Sequence, residues 1–223
     1  MKKLTLAFVA CSATMTASAN LIPNGGFEVN TTFPGDFSGD VADGWSILSI
    51  TPEVWDNTGT DGLAPGSSGY MPHVTAYEGS NWAALAANST LQEGIGSPTM
   101  ALGPGLYDLS LAMIYDAHNP SPYTNPGALD VFLKKGAGGY VYQGTLAANT
   151  GADQWEVRSL QLSITSADTY SIGLYVQTGP NVYLGIDDVN LVASPVPEPF
   201  TMGLAGLAFA AAARRRLRKS AEK

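Results

Sequence analysis

The sequence predicts an all-β protein built as an antiparallel β-sandwich, and three observations carry that prediction. Through residues 20–193, alternating or β-branched runs recur: "DLSLAMIYDA", "GALDVFLKK", "YVYQGTL", "EVRSLQLSIT", "TYSIGLYVQT" and "VYLGIDDVNLVA". Glycine, proline, asparagine and serine separate these runs at the spacing of a sandwich. Helical signals are scarce in the same region.

The elements follow in chain order. "MKKLTLAFVACSATMTASAN" has a basic start (Lys2, Lys3), an apolar middle and a small-x-small site at Ala17 and Ala19. This is the pattern of a secretory signal peptide, residues 1–19, removed after Ala19. Cys11, the one cysteine, is an alternative lipidation site, although Phe8-Val9-Ala10 fits a lipobox poorly at its first position. The mature chain then lacks cysteine and uses no disulfides.

Residues 20–193 are long enough for a single domain with its own core. From Phe33 to Gly69 the chain is less regular. "TTFPGDFSGDVADGW" and "DNTGTDGLAPGSSG" are loop compositions, either ligand-binding loops or insertions. "LDVFLKK-GAGG-YVYQGTL" predicts a β-hairpin with a four-residue loop. In "DTYSIGLYV", alternation puts Tyr170, Ile172, Leu174 and Val176 on one face and Ser171, Gly173 and Tyr175 on the other. In the last run, the same alternation puts Asp187 on the core face with Val189 and Leu191. An inward carboxylate is costly unless it is paired or binds a metal.

Residues 194–223 end the chain in three parts: a Pro-rich motif at 195–199, an uncharged run at 200–213 and a basic tail at 214–223. The uncharged run spans 14 residues, about 21 Å as a helix, against the roughly 20 residues of a comfortable membrane span. Arg214, Arg215, Arg216 and Arg218 can snorkel to close the gap, and their charge sets them on the cytoplasmic side. A short transmembrane helix is expected here, and it holds the chain to the membrane before processing.

Val196-Pro197-Glu198-Pro199, the apolar run and the arginine cluster together resemble the PEP-CTERM sorting signal. The resemblance implies a Gram-negative bacterium that makes exopolysaccharide, and an exosortase that cuts near this motif. The expected destination is the cell surface, outer envelope or extracellular matrix.

Charge narrows the partners. Residues 20–193 hold three basic side chains, Lys134, Lys135 and Arg158, against all nineteen carboxylates of the chain except Glu198 and Glu222, a formal charge of −14. With no basic patch to release counterions, nucleic acid is not an expected partner. The excess of carboxylate suits solubility outside the cell or a cation such as calcium.

A second resemblance spans nearly all of this region. "NLIPNGGFE", "DGW", "EGSNWAALAA", "LGPGLYDLSLAM", a Trp-x-Val at Trp155 and "YLGIDDVNLV" follow in an order similar to the galactose-binding-like β-jelly roll of carbohydrate-binding modules. In such modules a structural calcium often bridges the first and last strands. The matching positions here are Glu28 and Asp187, with backbone carbonyls and waters completing the oxygen shell; the alternative is that Asp187 caps backbone N–H groups and Glu28 is solvated.

No constellation points to catalysis. His73 and His118 are the histidines, and no H-E-x-x-H, G-x-S-x-G or P-loop spacing occurs. A glycosidase carboxylate pair is compatible with the inventory, although abundant Asp and Glu in loops are usually turn formers. A non-catalytic polysaccharide binder is expected, with a structural or adhesive matrix unit as the alternative. Sugar recognition combines aromatic faces with planar polar side chains. The candidate residues are Trp55, Tyr70, His73 and Tyr77 in one segment, and Tyr115, Asp116, His118, Asn119 and Tyr123 in another. Packing beneath its own loop is the alternative for each aromatic.

Overall fold

The computed structural model describes residues 19–31, 39, 41–56, 74–115, 125–148, 154–179 and 181–195. The chain divides into two compact units, Met1–Val192 and Ala193–Lys223. The expected signal peptide (apart from Ala19), Val196 to Pro199 and the apolar run at 200–213 lie outside the described residues. Among those described, no helix is long and apolar enough to cross a membrane.

Eleven strands are formed by the described residues: β1 Ser46–Ser49, β2 Glu53–Asp56, β3 Asn81–Ala87, β4 Gly94–Gly96, β5 Met100–Leu102, β6 Gly105–Tyr115, β7 Ala128–Lys135, β8 Tyr140–Ala147, β9 Glu156–Ile164, β10 Asp168–Val176 and β11 Val182–Ala193. They build two sheets. The first runs β1-β4-β10-β7-β8, with β5 also paired to β10; the second runs β2-β3-β11-β6-β9. The strands pair antiparallel in both sheets, for example Leu111 opposite Arg158 and Ile172 opposite Leu133.

The core between the sheets follows from period-2 alternation. Tyr170, Ile172, Leu174 and Val176 of β10 enter it, as the sequence predicts, together with Leu129, Val131 and Leu133 of β7. Across from them, β6 contributes Tyr107, Leu109, Leu111, Met113 and Tyr115. Each fully buried Leu, Ile or Met stabilises the fold by about 1.5–3 kcal/mol relative to exposure. The hairpin of β7 and β8 forms as expected over Gly136 to Gly139, with a register shift between Val131 and Phe132. β1 and β2 fall inside the stretch read as irregular from Phe33 to Gly69, as strands of only four residues each.

Alternation also fails within β11. Ile186 and Val189 of β11 both enter the core, because Asp188 adopts a left-handed conformation at φ 45° and adds a residue to the strand. Asp187 is therefore not carried inward beside Val189. It is fully buried, but its carboxylate accepts from the backbone of the segment that leads into β3.

The N-terminal segment is tied along the end of β11. Leu21 N donates to Leu191 O at 2.9 Å, Val189 N donates to Gly25 O at 2.9 Å, and the Asn20 side chain bonds both Val189 and Leu191. A Cβ at Gly25 would lie 2.0 Å from Val189 O, so only glycine allows this approach.

Candidate functional site

The outward face of the first sheet carries aromatic rings lying across glycines. A Cβ at Gly94 would fall 2.5 Å from the Tyr175 ring, and one at Gly173 would fall 2.8 Å from the Tyr140 ring. These glycines leave the space the rings occupy. Phe132 stands edge-on to Tyr142 at 5.7 Å and to Tyr175 at 5.3 Å, so three rings from β7, β8 and β10 form one group, with Tyr140 beside it over Gly173. Tyr142 is 54% exposed, and Phe132, Tyr140 and Tyr175 are half-buried. Desolvation, and then the neighbouring Tyr140, push the Tyr175 hydroxyl above its ordinary pKa.

Polar groups border this row. The Thr145 hydroxyl donates to Asp130 Oδ1 at 2.6 Å, Gln177 Nε2 donates to the same oxygen at 2.8 Å, and Tyr142 Oη lies 2.7 Å from Thr145 Oγ1. Lys134 Nζ sits 5.7 Å from the Tyr140 ring centroid, within cation–π range. The face thus combines apolar ring surface with donors and acceptors held by one another. Sequence reasoning missed it as a site, although alternation had already placed Gly173 and Tyr175 away from the core. The "YVY" of β8 carries the same period-2 signal.

On the outward face of the second sheet, an aromatic chain covers β2, β3 and β11, while β9 leaves Val157, Ser159 and Gln161 exposed. Trp55 stacks near Trp82 at 6.3 Å, Trp82 meets Trp155 edge-on at 6.2 Å, and Trp155 meets Tyr77 at 6.1 Å. Trp55 and Trp82 are buried beneath this packing, beside Val74 and Ile114. Trp55 Nε1 donates to Tyr183 Oη at 3.2 Å, and that hydroxyl donates to Glu53. Glu93 accepts from Ala86 N at 2.6 Å and from the Thr51 hydroxyl at 3.0 Å. Burial raises the pKa of Glu53 and pushes Glu93 up to about 7.

The structure distributes the sequence-predicted residues as follows. Trp55 and Tyr77 belong to one aromatic chain, with Trp55 buried and Tyr77 exposed at its rim. Tyr115 is buried in the main core and presents no face to a ligand. Tyr70, His73, Asp116, His118, Asn119 and Tyr123 lie outside the described residues.

Glu28 and Asp187 are brought together on one segment. Asp187 Oδ2 accepts from Tyr77 N at 2.8 Å and Glu78 N at 3.0 Å, while Glu28 Oε1 accepts from Ser80 N at 2.8 Å and Asn81 N at 2.9 Å. A Cβ at Gly26 would lie 3.9 Å from both Asp187 Oδ1 and Glu28 Cγ. Burial pushes the Asp187 pKa up to about 6 despite its backbone donors, and burial followed by Glu78 raises that of Asp188. Both ion pairs found among the described residues, Lys135–Asp168 and Arg158–Glu156, involve other carboxylates. Hard oxygen donors gathered without a basic partner fit calcium in kind, although no group of three metal-binding side chains occurs among the described residues.

Comparison with known proteins agrees with both halves of the sequence reading. Residues 195–219 match the PEP-CTERM protein-sorting motif. This chain carries a PEP-CTERM sorting signal. The PEP-CTERM signal marks the protein for export and exosortase processing, with a cell-surface or extracellular destination in a Gram-negative bacterium. No curated protein matches the chain. Among solved structures, TmCBM61 in complex with beta-1,4-galactotriose is similar with a TM-score of 0.50 and 16% identity, over 79% of this chain and 100% of that one. The CBM22-1 xylan-binding domain from Paenibacillus barcinonensis Xyn10C is similar at 0.47 and 14% identity, over 81% of this chain and 99% of that one. A family 16 carbohydrate-binding module follows at 0.45 and 20% identity, over 78% and 99%. At 16% identity the likeness to TmCBM61 shows the fold alone, a β-sandwich like that of this carbohydrate-binding module.

Proposed function

We propose that this exported protein binds polysaccharide without catalysis, through the outward face of the first sheet. The observation that carries this reading is Tyr175 laid over Gly94 and Tyr140 over Gly173, with Phe132 and Tyr142 alongside, beside the Asp130–Gln177–Thr145 cluster. Sugar C–H faces stack on such rings while hydroxyls bond planar polar groups. Rings packed into glycine recesses lose little conformational entropy on binding. TmCBM61, which shares this fold, is solved in complex with beta-1,4-galactotriose, which supports the ligand class. The sorting signal supports the cell's own exopolysaccharide as the natural ligand, in an extracellular matrix or biofilm.

A structural calcium ion held by Glu28 and Asp187 accompanies this reading. It would supply charge compensation to two carboxylates that grip the segment 77–81, fixing the chain's first and last described segments to β3.

The test is binding of the full chain to a panel of polysaccharides, including that of the host. Loss of one stacked tyrosine removes about 1.5 kcal/mol or more of contact, roughly tenfold in Kd. Tyr140→Ala and Tyr175→Ala should each weaken binding by that factor, whereas Tyr115→Phe should leave it unchanged. Saturable binding indifferent to both tyrosine variants would reject this face. A folded protein that binds no glycan would favour the matrix-unit alternative.

A further inference from the structure

The β7–β8 hairpin has a second side. Its outward face carries the rings described above. Its core-facing side, near the hairpin tip, borders a separate cleft of approximately 390 Å³ between the edge of the first sheet and the end of β9. Lys135, Val141, Gln143, Ser163 and Thr165 line it, with Gly139 at its rim. A Cβ at Gly139 would meet nothing within 4 Å, so the mouth is unobstructed there. Small-ligand pockets span about 300–1,000 Å³, and this volume lies near the lower end, suiting a single sugar ring.

The charge distribution singles the cleft out. The three basic residues of 20–193 all flank β8: Lys134 and Lys135 on β7 and Arg158 on β9. Arg158 is paired with Glu156 and donates to Ala147 O at 3.0 Å. Lys134 lies over Tyr140 on the other side of the hairpin. Lys135, though ion-paired with Asp168, is the one of the three that lines the cleft, and so the cation it presents. Its ammonium is positioned by Ser166 Oγ at 2.8 Å, with Asp168 at 3.8 Å, and its side chain remains 50% exposed. Around it are an amide, two hydroxyls and the apolar Val141, which is 62% exposed.

We propose that this cleft is a second glycan site, selective for a carboxylate-bearing sugar, a hexuronate residue of an acidic polysaccharide. The uronate carboxylate pairs with Lys135, ring hydroxyls bond Gln143, Ser163 and Thr165, and the C–H face rests on Val141. On a surface of formal charge −14, an anionic chain is repelled elsewhere, so the few cations decide where it docks. At about 0.15 M salt the long-range repulsion is screened beyond roughly 8 Å while direct contacts persist.

The experiment is calorimetric titration of the full chain, at that salt, with trimers of galacturonate, glucuronate and mannuronate and with the methyl ester of each. A charged hydrogen bond contributes about 1.5–3 kcal/mol, so at least one free acid should bind roughly tenfold or more tighter than its ester. Lys135→Gln should bring the acid down to the level of the ester, and Thr165→Glu should weaken the acid further than the ester. Equal affinities for acid and ester, or affinity for the acid unchanged in Lys135→Gln, would overturn the site. Loss on Tyr175→Ala in place of Lys135→Gln would put the acid on the sheet face and overturn it equally. Failure of the Tyr140 and Tyr175 test above leaves this comparison readable, because it contrasts acid with ester and turns on a different residue.

Discussion

Glu93 shows how a single side chain sets a pH dependence. It is held by Ala86 N and the Thr51 hydroxyl, yet burial shifts its pKa from 4.5 to about 7. The folded protein keeps a proton there that the unfolded chain releases first. The contribution of Glu93 is therefore fully present below pH 4.5 and is lost as pH rises through about 7. Asp187 has the same sign, between its ordinary 3.8 and about 6. Thermal unfolding followed across this range should show Tm declining with pH, and Glu93→Gln should flatten the upper part of the decline. A slope that the substitution does not alter would assign the pH dependence to other groups.

Among the elements, the N-terminal segment depends most on one residue. Its backbone bonds to β11 require Gly25, whose missing side chain leaves room for Val189 O. Gly25→Ala should destabilise by about 1–3 kcal/mol, at about 2–4 °C of Tm per kcal/mol for a chain of this length. Amides of Leu21 and Val189 should lose hydrogen-exchange protection before those of β6; simultaneous loss would show that the strap does not open separately. The longer strands β6 to β11 were legible in the sequence because one face is apolar and the other is polar or small. β3 was not, because "NWAALAA" is buried on both faces and shows no alternation. Trp55 and Tyr115 were expected on loops or strand edges; Trp55 lies on the edge strand β2 and Tyr115 ends β6, and packing claims the ring of each.

For the whole molecule, the first described segment, β11 and the acidic charge meet at one place. The N-terminal segment runs beside β11, and Glu28 and Asp187 grip the same turn before β3 without a basic partner. If calcium occupies this site, millimolar calcium should raise Tm and chelator should lower it. An ion at a hundred times its Kd stabilises by about 2.7 kcal/mol. Asp187→Asn should abolish the response. A wild-type Tm indifferent to calcium and chelator alike would remove the ion from the account.

Periodicity and composition alone determined the all-β class, the hairpin, the face assignments of β10, the acidic surface and the sorting signal, because each is written in residues close together along the chain. The candidate face could not be obtained that way. Phe132, Tyr140 and Tyr175 come from three strands, and Gly94 from a fourth; the pairing order β4-β10-β7-β8 alone makes them neighbours. The bulge at Asp188 likewise depends on backbone contacts across the sheet and segment. Long-range pairing converts scattered residues into a surface, and it is decided by how two sheets bury their apolar faces together.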